Sequence, residues 1–444
     1  MKKILVLGAG FVAGPLVRYF LEQSDVEIAL ADLEPGKASV LIGGHPRGRA
    51  FGLDLKDGNA LKKEIAAADV TVSLVPYVFH PMVARLCLDL GKNMVTTSYV
   101  GEAMRALDAD ARTAGVTLLN EVGLDPGIDH MEAMRIIDEV HGKGGRILGF
   151  RSYCGGLPAP DSNTNPFGYK FSWSPRGVLL AGKNEARYLR DGRDVVVPAL
   201  DLFDHYESVS VPGLGSFEGY PNRNSLPYVT IYGIPETRTM FRGTLRWPGW
   251  CETMKKIGEW GLLETKEYDF SGLTRLGFLA RLAGLPESSD LRTALQNRFR
   301  LASDSKILDR LGWLGLFEEA PLAKASGAPL DILEELMLAR MGYASGERDM
   351  IVLRHEFEAA YPDGTAERIL STLIDYGRPG GDSSMARTVG LPAAAGVNLL
   401  LQGRLKKTGV LIPVEADIYR PILAELRSRG IVFREERIPA AVDA

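Results

Sequence analysis

Residues 4–17, ILVLGAGFVAGPLV, restrict the fold of this chain more than any other stretch. Ile4 to Leu7 are four apolar residues in a row, the pattern of a strand buried on both faces. Gly8-Ala9-Gly10-Phe11-Val12-Ala13-Gly14 comes next, a G-x-G-x-x-A turn with one further glycine. Apolar residues then recur at Val12, Leu16, Tyr19 and Phe20, which is helical spacing. Pro15 falls in the first helical turn, where its missing N–H does no harm. A strand, a glycine turn and a helix in this order form a dinucleotide-binding unit. Gly8 permits the tight turn, Gly10 lets a pyrophosphate approach the backbone, and Ala13 lets the helix pack on the strand. The first N–H groups of the helix then face the anion. Gly8, Gly10, Phe11, Val12 and Ala13 are therefore read as cofactor-binding.

The next hundred or so residues keep the rhythm. Strands are expected at 26–31, 49–53, 70–75, 94–97 and 116–119, with helices near 59–67 and 81–90. Such alternation predicts an α/β fold, a doubly wound parallel Rossmann sheet with its ligand at the carboxyl ends of the strands. The second strand runs into Asp32, about 20 residues past Gly10, where an acid accepts hydrogen bonds from the adenosine ribose. An acid there also repels a 2′-phosphate, so NAD is expected over NADP, although Lys37 and Arg47 lie nearby in sequence. The bland alternative for Asp32 is an ordinary turn aspartate. Val75 and Pro76, after the fourth strand, should border the cofactor. His80 could act in acid–base chemistry, but such a histidine more often packs or ties down its loop. Ser98 and Tyr99 end the fifth strand at the same edge. Asp125, before Pro126, reads as a helix N-cap with proline at the first helical position. It also reads as a carboxylate placed to trade protons with a substrate. A helix is expected over 128–140.

Length and composition bound the rest. The 444 residues suggest two or three domains at roughly 100–200 residues each. A net charge of −4 gives no reason to expect nucleic acid or an anionic membrane surface. Cys87, Cys154 and Cys251 are far apart and form no C-x-x-C pair, which disfavours a disulfide framework or zinc site. The chain enters a strand at once, and no apolar run reaches the ~18 residues of a membrane span. The expectation is a soluble, cytoplasmic protein with no metal.

From about residue 145 the texture changes. Strands are expected at 147–153, 228–231 and 351–357, separated by Gly/Pro/aromatic loops at 154–160 and 165–174. Long loops in a compact domain are usually functional. The expected organisation is a nucleotide domain over 1–130, completed by about 385–444; a mixed α/β domain for substrate or dimerisation over 131–253 and 345–384; and a helical domain over 254–344. Arg223 and the pair Arg242 and Arg246 stand among Gly, Pro and aromatic residues. Arginine suits bidentate recognition of carboxylates, though each alone could equally be a salt bridge or stacked on a ring. Together they suggest a substrate with more than one carboxylate. Ser174 and Lys170 are weaker candidates. Cys154 precedes a glycine pair; a lone cysteine is usually a small buried hydrophobe, with lining of a site as the sharper reading.

These runs resemble the saccharopine reductase family, the L-glutamate-forming saccharopine dehydrogenases. The resemblance rests on GAGFVAGP (8–15), SLVPYVFHP (73–81), TTSYV (96–100), NEVGLDPGIDH (120–130), SYCGGLPAP (152–160), NPFGYKFSWSPRGVLLA (165–181), YPNR (220–223), RGTLR (242–246), ERDM (347–350) and STLIDYG (371–377). It spans nearly the whole chain in order, and its long runs are far more specific than the glycine turn. It implies a Rossmann domain, a mixed α/β domain and a small helical domain. The implied reaction joins aminoadipate semialdehyde and glutamate as an imine that NAD(P)H reduces to saccharopine, or the reverse. It maps substrate contacts onto Ser98, Tyr99, Asp125, Ser174, Arg223, Thr244, Leu245 and Arg246, and acid–base roles onto Tyr99, Asp125 and Cys154. Asp32 departs from the family, whose NADPH-using biosynthetic members tend to be basic there. A small amino-acid substrate is thus the expected partner, with a homodimer left open. The rival readings are a carboxynorspermidine dehydrogenase-like enzyme, which the arginines disfavour, and a non-catalytic NAD-binding regulator.

Overall fold

The computed structural model describes residues 1–286 and 290–440. Residues 287–289, within the expected helical stretch, and 441–444, within the stretch expected to complete the nucleotide domain, lie outside the described residues. The chain forms two compact units, Met1–Ile147 with Ala359–Ala444, and Leu148–Glu358.

The first unit is built on β1 (Lys2–Leu7), β2 (Val26–Asp32), β3 (Gly48–Gly52), β4 (Val70–Ser73), β5 (Asn93–Thr96) and β6 (Thr117–Leu119). A seventh strand, Gly409–Leu411, joins them in the order Gly409–Leu411, β6, β5, β4, β1, β2, β3. Every pairing is parallel. The strand order reverses beside β1, which is where such sheets open a crevice at their carboxyl ends. Leu5, Leu7, Leu61, Ile65, Val83, Cys87, Met94 and Leu118 form a buried core with the flanking helices, each large side chain contributing roughly 1.5–3 kcal/mol by leaving water. Strands Ala366–Tyr376 and Phe433–Ala440 pair antiparallel in the same unit.

The glycine turn is shaped by its neighbours. Gly8 has φ +102°, and a Cβ there would lie 3.0 Å from the Leu74 carbonyl oxygen, so both conformation and space call for glycine. Helix Ala13–Leu21 starts at Val12 with no side-chain cap. Helix Ser384–Leu401, capped by Ser383 accepting from the Ala386 N–H at 3.0 Å, crosses that start. It comes so close that a Cβ on Gly390 would fall 2.7 Å from the Val12 carbonyl oxygen. The C-terminal segment thus props the turn from behind.

The second unit carries a sheet in the order Glu207–Val211, Gly215–Pro221, Thr239–Arg246, Arg146–Pro158, Asp349–Ala360. Two of those strands, Arg146–Pro158 and Asp349–Ala360, contain the points where the chain changes unit. Thr239–Arg246 pairs parallel with Arg146–Pro158 and antiparallel with Gly215–Pro221. Helices Trp250–Glu259, Arg275–Leu282, Leu291–Arg298, Ile307–Trp313 and Pro329–Arg340 enclose a separate apolar core that includes Trp250, Trp260, Phe278, Leu311 and Leu333.

Four local expectations fail. Residues 154–158, expected in a loop, continue strand Arg146–Pro158. Residues 228–231 are not a strand but the body of a one-turn helix, Pro227–Ile231, with the Tyr232 N–H donating to the Tyr228 carbonyl at 2.9 Å. Pro227 at the helix start sets φ and outweighs the β propensity of so short a run. Residues 242–246, whose glycine and aromatic neighbours suggest a loop, are instead the end of strand Thr239–Arg246. Asp125 is not an N-cap. Gly127 holds that position, and helix Ile128–Gly142 starts beyond it.

Candidate functional site

In the first unit the carboxyl ends of β1, β2, β4, β5 and β6 hold most of the expected residues. Gly8 packs against Leu74 and Val75. A Cβ on Gly10 would meet nothing within 4 Å, so the backbone there is open to a ligand. With the uncapped first-turn N–H groups beyond it, the turn fits the pyrophosphate of a dinucleotide. Phe11, Leu33, Tyr77 and Val78 are large apolar residues exposed at 77%, 72%, 74% and 60% around this edge. Exposed apolar surface beside a nucleotide turn suits the faces of an adenine ring. Leu33 and Val78 were not singled out from sequence, because single exposed apolar residues carry no periodic signal.

Asp32 closes β2 with both carboxylate oxygens engaged. Oδ2 accepts from the Ala9 N–H at 2.7 Å and Oδ1 from the Glu34 N–H at 2.9 Å. The carboxylate therefore stitches the second strand to the glycine turn. The nearby cations are occupied. Lys37 Nζ donates to Glu34 at 2.6 Å. The Arg47 guanidinium donates to the Leu21 carbonyl at 2.6 Å and the Val26 carbonyl at 3.3 Å.

Beyond β4 and β5 a hydroxyl–imidazole cluster fixes the loops. His80 Nδ1 lies 2.9 Å from Ser73 Oγ, and Nε2 lies 2.9 Å from Ser98 Oγ and 3.1 Å from Thr96 Oγ1. Burial pulls the imidazole down to about 4, so it is neutral at physiological pH and ties the loop. Ser98 presents its hydroxyl to this histidine. Tyr99 and Asp125 come together: the phenol O–H donates to Asp125 Oδ1 at 2.5 Å. Asp125 sits in a closed loop in which the Gly123 N–H donates to the Pro126 carbonyl at 3.0 Å and the Ile128 N–H to the Gly123 carbonyl at 2.8 Å. The Asp125–Pro126 bond is cis.

In the second unit, register pairs Cys154 with Thr244 and Tyr220 with Thr244 on neighbouring strands. Cys154 is half-buried. Arg246 is buried, with its guanidinium 4.8 Å from the Tyr169 ring centre and 5.4 Å from that of Trp250. Its Nη1 donates to the Leu245 carbonyl at 2.8 Å, while its buried Nε has no partner. Among the described residues no carboxylate lies within ion-pair distance of it. Glu218 faces Arg246 in register, but its carboxylate accepts the Gly249 and Cys251 N–H groups at 2.6 and 2.8 Å, capping helix Trp250–Glu259. A buried cation with aromatic walls and an unsatisfied N–H is built to receive an anion. Arg242 instead lies 4.3 Å over the Tyr228 ring, the stacked arrangement. The Leu245 side chain is fully buried against Gly155. Ser174 is exposed and caps helix Pro175–Ala181 by accepting the Gly177 N–H at 3.3 Å. Lys170 is held by Glu347 in an ion pair. Arg223 is exposed and, at φ +54°, sits in the left-handed region that favours glycine. Non-glycine residues held there cluster at functional sites.

Among the described residues no helix is long and apolar enough to cross a membrane. Comparison with known proteins gives a consistent result. Residues 4–119 match the family model described as saccharopine dehydrogenase NADP binding domain, and residues 123–431 match saccharopine dehydrogenase C-terminal domain. The chain is 40% identical, over 98% of its length and 99% of the relative's, to saccharopine dehydrogenase [NADP(+), L-glutamate-forming] of Saccharomyces cerevisiae. It is 37% identical to the mitochondrial alpha-aminoadipic semialdehyde synthase of Bos taurus, and spans 47% of that longer protein. A solved apo structure of histidine-tagged saccharopine dehydrogenase (L-Glu forming) from Saccharomyces cerevisiae superposes over 99% of this chain with a TM-score of 0.92.

Proposed function

The chain belongs to the saccharopine dehydrogenase family, and from that membership we propose what its own residues do in the reaction. The protein is an oxidoreductase acting on a CH–NH bond, converting saccharopine reversibly to L-glutamate and L-2-aminoadipate 6-semialdehyde in lysine metabolism with a nicotinamide cofactor. The end-to-end match to the yeast enzyme carries this assignment.

Gly8, Gly10, Phe11, Val12, Ala13, Asp32, Val75 and Pro76 hold the dinucleotide. A nicotinamide cofactor held there would supply hydride exchange at the substrate carbon next to nitrogen. Oxidation of saccharopine then requires water to attack the resulting imine, and protons must move at oxygen and nitrogen. Asp125 is the group that takes and returns these protons, and Tyr99 orients and shares its charge through the 2.5 Å hydrogen bond. Cys154, a half-buried register neighbour of Thr244, is the third acid–base candidate beside Asp125 and Tyr99. Arg246, with Arg223, binds substrate carboxylates. Ser98, Ser174, Thr244 and the Leu245 main chain complete the substrate contacts. Holding reactants in this manner can supply much of the rate.

NAD is preferred over NADP on this reading. Its support is Asp32 at the end of β2, Glu34 beside it, and nearby cations committed to other partners. The fungal relatives are named for NADP(+) and point the other way. Steady-state saccharopine oxidation with NAD and NADP side by side tests both parts. Turnover with neither removes the function, and a large NADP preference removes the cofactor reading.

A further inference from the structure

Behind Tyr99 and Asp125 lies a buried chain of charged groups that the proposed chemistry does not use. Glu121, His130 and Asp129 are 6%, 0% and 1% exposed. Glu121 Oε2 lies 2.8 Å from His130 Nε2, and His130 Nδ1 lies 3.5 Å from Asp129 Oδ2. The other oxygens of the two carboxylates reach the main chain. Glu121 Oε1 accepts the Val100 N–H at 2.8 Å, and Asp129 Oδ1 accepts the Gly127 N–H at 2.6 Å. Val100 directly follows Tyr99, and Gly127 lies two residues after Asp125. The chain of bonds therefore starts on the tyrosine loop and ends on the aspartate loop.

Three observations argue for more than packing. First, burying two carboxylates and an imidazole is costly, and an apolar core of similar volume is often as stable or more so. Second, carboxylate oxygens lie beside both ring nitrogens, at 2.8 and 3.5 Å, so the ring is held from two sides. Third, Glu121 is held at φ +58°, a left-handed conformation disfavoured for a side chain this long. In that conformation its own N–H donates to the Ser98 carbonyl at 3.2 Å while its carboxylate turns back to Val100. Strained non-glycine residues of this kind persist where the surroundings over-determine them and cluster at functional sites.

We propose that Glu121, His130 and Asp129 are positioning residues, a carboxylate–imidazole–carboxylate brace that sets the loop carrying Tyr99 against the loop carrying Asp125. The brace touches neither substrate nor cofactor in this scheme. It acts through the Tyr99–Asp125 pair, so it rests on the role assigned to that pair above.

The test is a set of variants in the full chain, assayed by saccharopine oxidation with whichever nicotinamide cofactor the protein turns over. Glu121→Ala should lower kcat by about 10–100-fold, with KM for saccharopine within about threefold and cofactor binding unchanged, the pattern of a group needed only in the transition state. Glu121→Gln keeps the shape and the Val100 hydrogen bond, and should recover a large part of that loss. In an Asp125→Asn background, Glu121→Ala should cost little more, since residues acting as a unit are not additive. If Glu121→Ala does not fold, His130→Gln takes its place with the same expectations. A kcat within about twofold of wild type, or a loss that multiplies undiminished on top of Asp125→Asn, overturns the brace. If Asp125→Asn alone is as fast as wild type, it is the Tyr99–Asp125 reading that falls.

Discussion

The two units treat buried charge in opposite ways. In the first, Glu121, His130 and Asp129 are buried and each is answered by another group of the same unit. In the second, Arg246 is buried with aromatic faces beside it, one N–H unanswered, and its register neighbour Glu218 committed to a helix start. Charges satisfied internally hold geometry. A charge left open inside a unit is a candidate site for an anion. The contrast predicts that damage to the first unit's site appears mainly in turnover, and damage to the second unit's site mainly in substrate affinity.

Asp125→Ala is the strongest way to break that division. Loss of a general acid–base typically costs about 10²–10⁴-fold, and this loss should fall on kcat. Near-wild-type turnover across pH would show that Asp125 is not the proton carrier. Arg246→Ala comes next. Losing hydrogen bonds to a charged partner costs about 1.5–3 kcal/mol, so kcat/KM for saccharopine should fall roughly 10–100-fold, chiefly through KM. If kcat falls instead and KM holds, the second unit does more than bind. Arg246→Lys should recover little, since a point charge does not reproduce the planar fork.

Asp32 offers a finer cut within the first unit. Asp32→Ser removes the charge that repels a 2′-phosphate and should shift the NADP/NAD ratio of kcat/KM toward NADP by about tenfold, the size of one lost unfavourable interaction of ~1.4 kcal/mol. An unchanged ratio would strip Asp32 of its selectivity role. The last effect concerns stability rather than rate. The His80 imidazole is pulled from 6.5 to about 4 by burial. Its folded-state value lies below the unfolded one, so the unfolded chain binds the extra proton first. The stability tied to neutral His80 is complete above about 6.5 and is lost as pH falls toward 4, by at most about 3–4 kcal/mol at 1.36 kcal/mol per unit. Urea unfolding at pH 7 and pH 4.5 should show this loss, and His80→Asn should reduce the difference between the two pH values. An equal difference in both proteins would assign the acid sensitivity to other groups.

The first unit was legible in the sequence and its finer chemistry was not. Buried parallel strands announce themselves as continuous apolar runs, and the glycine turn fixes the segment after β1, so all six strands stand within a residue or two of their expected places. Tyr99 and Asp125 were singled out because both come after a strand at the ligand-facing edge, and the fold brings the two side chains into one hydrogen bond. Glu121 and His130 stood out only as part of a family run. Their signal was present: two titratable residues flank a stretch that is otherwise buried. Nothing periodic links them, however, since their contact depends on a closed loop of 123–129. The same loop overturned the N-cap reading of Asp125. In the second unit sequence singled out the arginines together and did not separate Arg242, laid on a tyrosine ring, from Arg246, flanked by aromatic faces. That distinction lies in the surroundings each residue meets along one strand and in where Glu218 goes.

Strand Gly409–Leu411, which shields the outer edge of β6, also imposes a timetable. The Thr117 hydroxyl donates to the Lys407 carbonyl at 2.6 Å across 290 residues, and the Asn120 N–H donates to the Leu411 carbonyl at 2.8 Å. At ~5–20 residues per second of synthesis, that separation is roughly 15–60 s. Throughout it the nascent sheet carries a raw edge, the kind of surface on which chains stick to one another. The whole second unit emerges during that wait. A chain interrupted before Gly409 would keep the edge for good, and its fate should be aggregation rather than weakened cofactor binding.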